Sequence, residues 1–110
     1  MVNIIEFLKE HDLILTVELC IDNWMQTPMW IAHIRSPFID IYLHYEQTHM
    51  YILGKTPVEA IQLRIKEMLD KTVDIRKEDA KSSNYMYDPN FTVIKTIQFP
   101  DKFDLTGLNL

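Results

Sequence analysis

The sequence predicts an α+β fold: an antiparallel sheet of about four to five strands covered on one face by helices, in the order α-β-β-β-β-α-β. Three observations lead there. Residues 13–21 and 38–45 alternate between apolar and polar side chains, the period of a strand with one covered face. Short polar turns part consecutive strands, as antiparallel neighbours require. A strongly capped amphipathic helix then follows the strands instead of alternating with them, which excludes a parallel α/β sheet. The chain of 110 residues, 47% hydrophobic and 25% charged, fits one globular domain spanning 1–110.

The first element is a short helix. Asn3, with Glu6 three positions on, can cap orphan amides at its start, and Ile4, Phe7 and Leu8 share one face. The first long strand covers 13–21, with Leu13, Leu15, Val17, Leu19 and Ile21 on the face expected inside and Thr16, Glu18 and Cys20 on the wetter one. Residues 22–28 read as a loop, because Asn23, Gln26, Thr27 and Pro28 interrupt any ladder. Strands at 29–35 and 38–45 are parted by Ser36-Pro37, a tight link suited to antiparallel neighbours, and a brief strand at 50–53 completes the meander after Gln47-Thr48-His49.

The best-marked helix covers 57–71. Thr56 stands at the N-cap, Pro57 at the first helical position and Glu59 at the third. Val58, Ile61, Ile65, Met68 and Leu69 form its apolar stripe, and Gln62, Arg64, Lys66 and Asp70 are expected on the opposite, solvated side. Beyond it, Val73 and Ile75 either extend the helix or begin a small strand, and 76–90 reads as a solvated loop, charged and then rich in Ser and Asn. A last strand at 91–99 places Phe91, Val93, Ile97 and Phe99 on one face, interrupted by Lys95. Pro100 ends it, and 101–110 reads as a tail with Phe103, Leu105 and Leu108 available to dock.

Composition excludes several classes of function. Two glycines in the whole chain leave no Gly-rich phosphate loop or dinucleotide fingerprint. A single cysteine, Cys20, allows no intrachain disulfide and no cysteine zinc knuckle. No apolar run approaches the ~20 residues that span a bilayer, and the first residues lack a basic n-region, so a cytoplasmic protein without membrane partners is expected. Eleven basic against sixteen acidic residues give a net charge of −5, with the bases scattered singly. That pattern lacks the basic stripe that phosphate neutralisation demands, so direct nucleic-acid binding is not expected.

The run 13–69, ending in Gly54-Lys55-Thr56-Pro57-Val58-Glu59-Ala60-Ile61, resembles the small βββα domain of HicB-like antitoxins, where a glycine after the last strand precedes a Thr-x-x-Glu-Ala helix start. The resemblance implies a protein partner. The family's Pro/Gly-rich link is reduced here to Ser36-Pro37, and no basic DNA-binding segment follows the helix, so DNA binding is not carried over. The compact, acidic, Gly-poor make-up is also similar to small accessory proteins of bacteriophages, many of them inhibitors.

No catalytic constellation emerges, and neither a cofactor nor a metal is expected. Cys20 has no basic neighbour or helix N-terminus in sequence to activate it, and Ser36, Ser82 and Ser83 lack a Gly-flanked elbow. The enzyme alternative is a metal-assisted hydrolase built on His33, His44 and Glu46, which adjacent strands could bring together. More informative are the aromatics and methionines in loops, since such side chains dominate protein interfaces. Trp24 and Met25 after the first strand, and Tyr85 and Tyr87 in the late loop, are the expected interaction residues, joined by Tyr42 and His44 on the less apolar face of their strand. Trp30 reads as core. The function expected is a small non-catalytic protein-binding module, an inhibitor or antitoxin acting on a bacterial defence or nucleic-acid-processing protein. A contiguous acidic surface would let it compete for an enzyme's basic groove. A third alternative is a phage assembly protein, a homo-oligomer joined through a free sheet edge.

Overall fold

In the computed structural model the described residues are 1–21, 27–38, 41–44, 52–78 and 91–109. Two helices and eight strands occur among them: β1 (Val2–Asn3), α1 (Ile4–Glu10), β2 (Ile14–Cys20), β3 (Met29–Arg35), β4 (Ile41–His44), β5 (Leu53–Gly54), α2 (Pro57–Met68), β6 (Thr72–Glu78), β7 (Phe91–Gln98) and β8 (Phe103–Asp104). The class is α+β, with the strands divided among three sheets: antiparallel β2-β3-β5, antiparallel β4-β6-β7, and a parallel pair β1-β8. The single sheet of four to five strands expected from the sequence is therefore corrected. Alternation identifies strands but not their partners, and β4 pairs with β6 instead of forming a hairpin with β3, in a register that sets Leu43 against Ile75 and His44 against Asp74.

Both helix starts form as their capping residues require. Asn3 Oδ1 accepts from the amides of Ile5 (3.0 Å) and Glu6 (3.2 Å), and Thr56 Oγ1 accepts from the Glu59 amide at 3.1 Å. The buried arc of α2 differs from the expected stripe. It contains Ala60, Arg64, Ile65 and Met68, whereas Val58 is 40% exposed. Arg64, expected in solvent, is 1% exposed and donates from Nε to the Ala32 carbonyl of β3 at 2.9 Å. Ala60 lies directly against Gly54 of β5, and Arg64, one turn on, shares that sheet-facing side.

Burial along β2 fades from one end to the other. Leu13 is buried and Leu15 packs against the core, but Val17, Leu19 and Ile21 are 36%, 46% and 73% exposed, which corrects the expectation of a uniformly covered face. The core joins Leu13, Ile34, Ile65, Met68, Val73, Ile75 and Ile97 to the α1 residues Ile4, Phe7 and Leu8.

The segment expected as a loop, 76–90, begins as strand: Arg76–Glu78 close β6, a central strand paired with both β4 and β7. Their charges hide the alternation begun by Val73 and Ile75, which are 1% and 5% exposed. In β7 the register shifts between Ile75↔Lys95 and Arg76↔Val93, so Ile94 is an extra, bulged residue. One inserted residue exchanges the two faces. Ile97 and Phe99 are buried as expected, but Val93 is turned outward and is 47% exposed.

The C-terminal segment is likewise more than a tail. Phe103 and Asp104 pair in parallel with Val2 and Asn3, and Phe103, Leu105 and Leu108 pack against the core. Phe7, Phe99 and Phe103 meet edge to face, with ring centroids 4.9–6.2 Å apart. Asn3 links the two ends of the chain, donating from Nδ2 to the Thr106 carbonyl (3.0 Å) and to Asp104 Oδ2 (3.3 Å).

Candidate functional site

Four of the six expected interaction residues, Trp24, Met25, Tyr85 and Tyr87, lie outside the described residues. Tyr42 and His44 are placed by register alone, opposite Arg76 and Asp74 of β6. Trp30, expected as core, is half-buried and pairs with Leu19 and Gly54 on its two sides.

A concave surface forms instead between α2 and the C-terminal segment. The helix stops at its C-cap Leu69, and Asp70 turns the chain back in the left-handed region (φ 62°). Two backbone bonds, Asp70 N–H to the Pro100 carbonyl (3.0 Å) and Phe99 N–H to the Lys71 carbonyl (2.8 Å), clamp the end of β7 to this turn. The following residues lie alongside the helix and enclose a groove of about 340 Å³. Ile65, Leu69, Phe103 and Leu105 form its apolar floor, and Lys66, Lys102 and Asp101 stand at the rim. Lys66 and Lys102 are exposed, so this rim carries two cations to one acid, Asp101, although the whole chain carries −5. A groove of this size takes one or two apolar side chains, and its lysines favour a carboxylate beside them. Sequence reasoning missed it because its walls come from 62–69 and 101–105. The only signal was the apolar Phe103 and Leu105 in a segment read as tail.

A second, smaller hollow of about 160 Å³ gathers His11, Asp12, Ser36 and Lys95 beside Phe38, Ile75 and Ile94. These residue types invite a catalytic reading, but their observed contacts are structural. Ser36 Oγ accepts from the Phe38 amide at 3.3 Å and shapes the turn after β3. Lys95 Nζ donates to the His11 carbonyl at 3.1 Å, and the His11 ring packs on Phe7 at 4.5 Å between centroids.

Of the three residues in the metal-hydrolase alternative, His33 has a described side chain: its Nε2 lies 3.0 Å from Glu18 Oε1, across the β2–β3 pair. Glu46 and the His44 side chain lie outside the described residues. No group of three metal-ligating side chains occurs among the described residues, and none of their helices is long and apolar enough to cross a membrane. Cys20 is half-buried opposite Met29.

Among the described residues two acids stand beside bases. Glu67 pairs with Lys71 (3.8 Å) and Asp74 with Arg76 (3.6 Å). Asp104 accepts from the Thr106 hydroxyl (2.6 Å) and amide (3.1 Å) and from Asn3; these bonds, that of the hydroxyl foremost, hold its carboxyl below the usual range. No protein-family model, no curated protein and no solved structure matches this chain.

Proposed function

We propose that the chain is a non-catalytic protein-binding module that receives an apolar anchor of its partner, flanked by an acidic residue, in the groove between α2 and β8. The observation that carries this reading is the groove itself, with its floor of Ile65, Leu69, Phe103 and Leu105 beneath the exposed Lys66 and Lys102. An apolar side chain removed from water supplies affinity there, and the lysines select an acidic flank and speed encounter. The HicB-like run 13–69 favours an inhibitor or antitoxin as the form this binding takes, with a bacterial defence or nucleic-acid-processing protein as partner. Acids already paired with Lys71 and Arg76 favour the groove over mimicry of nucleic acid by an acidic face.

The test is affinity capture from a bacterial lysate with two baits, the wild-type chain and Lys66→Glu/Lys102→Glu. Both lysines are exposed, so the variant is expected to fold, with a circular-dichroism spectrum matching the wild type. A partner retained in stoichiometric amount by the first bait and lost by the second is the expected result. Equal retention by both baits would remove the groove as the binding site.

A further inference from the structure

β2 ends its three-stranded sheet among the described residues. Edge strands normally carry a bulge, a lysine or a proline that blocks pairing with another chain. On β7 the Ile94 bulge and Lys95 do this, and β5 is only two residues long. β2 has no bulge, lysine or proline, and its one charged side chain is Glu18, on the face opposite Leu15. It is seven residues long, runs in unbroken register with β3, and occupies the end position in its sheet among the described residues. Val17 and Leu19 share the face on which Leu15 meets the core, yet they are 36% and 46% exposed.

We infer that a second copy of this chain pairs with β2, antiparallel and with the two-fold axis at Val17. The occupant follows from the strand's complementarity to itself. A two-fold at Val17 pairs the whole of Ile14–Cys20 with its own copy: Leu15 faces Leu19, Val17 faces Val17, Thr16 faces Glu18, and Ile14 faces Cys20. Apolar groups meet on the helix side, and each Glu18 meets a hydroxyl on the other. Neighbouring registers are worse. Moving the axis to Glu18 opposes two like charges. Moving it to Thr16 draws in Leu13, whose amide is already bonded to the Leu8 carbonyl at 2.8 Å, and leaves Cys20 unpaired. In the favoured register two three-stranded sheets become one continuous sheet, with Val17 and Leu19 of both copies covered between the two α2 helices. The surface is separate from the groove of α2 and β8, so either can fail without the other.

Sedimentation equilibrium of the full chain, at high micromolar concentration, tests the inference. The expected mass is twice the 13.1 kDa of one chain, returning to the single mass in Val17→Lys, whose circular dichroism should match the wild type. A second measurement fixes the register. In a Cys20→Ser background, Val17→Cys should form an intermolecular disulfide faster under mild oxidation than Glu18→Cys. A wild-type monomer, a dimer insensitive to Val17→Lys, or faster cross-linking at position 18 would each overturn it. Persistence of the dimer in Lys66→Glu/Lys102→Glu is expected.

Discussion

A Cβ atom on Gly54 would stand 2.4 Å from the backbone nitrogen of Ala60 and 2.7 Å from its Cα. The first turn of α2 thus rests directly on the last residue of β5, and the obstacle to any side chain is backbone, which cannot swing aside. This close approach explains one of the chain's two glycines and the smallness of Ala60, which is fully buried. Gly54→Ala is expected to lower stability by about 1–3 kcal/mol through overpacking, measured as a shift of the urea midpoint at unchanged slope.

Arg64 ties the same helix to β3. Its buried guanidinium donates to the Ala32 carbonyl, and the whole side chain is 1% exposed. Arg64→Ala should cost about 2–5 kcal/mol, by leaving both a cavity and a buried carbonyl without its donor. Arg64→Lys is expected to recover only part of this, because an ammonium cannot reproduce the planar donor at Nε. Guanidinium titration of the two variants separates packing from hydrogen bonding.

The cap and the core of α2 should differ in weight. Thr56→Ala removes one hydrogen bond to an exposed amide and is expected to cost about 0.5–2 kcal/mol. Ile65→Ala, at a site 5% exposed, should cost more, about 2–5 kcal/mol, with the half-buried Ile61→Ala between them. Thermal unfolding of all three variants reads this order directly.

Asp104 makes stability depend on acid. Its carboxyl is more acidic in the folded chain than in the unfolded one, because Thr106 and Asn3 donate to the charged form. The stabilisation is therefore complete above the ordinary carboxylate pKa and is lost as the pH falls through the lower, folded one. Asp104→Asn should flatten the acid limb of a plot of Tm against pH and leave its neutral part parallel to the wild type.

The sequence was most informative where structure is local. Asn3, Thr56 and Pro57 mark helix starts because a cap and the amides it serves lie within three or four residues. Period-two alternation located β2 and β4 for a similar reason, and β3 was marked by the turns on either side of it. Pairing was not legible: whether residues 41–44 bond to β3 or to β6 depends on contacts across some thirty positions. The Arg76-Lys77-Glu78 end of β6 was concealed by charge that a central strand tolerates at its wetter end, and the Ile94 bulge exchanged the faces of β7 without leaving a glycine to mark it. The groove was illegible for the same reason as the pairing, since its two walls are distant in sequence.

Hydrogen exchange on the chain alone and on the complex retained by the wild-type bait tests the central claim most directly. If the groove between α2 and β8 receives the partner, amides of 101–105, and with them those of 65–69, should exchange more slowly in the complex, while those of β7 are unchanged. Unaltered exchange at 101–105, with new protection elsewhere, would contradict it.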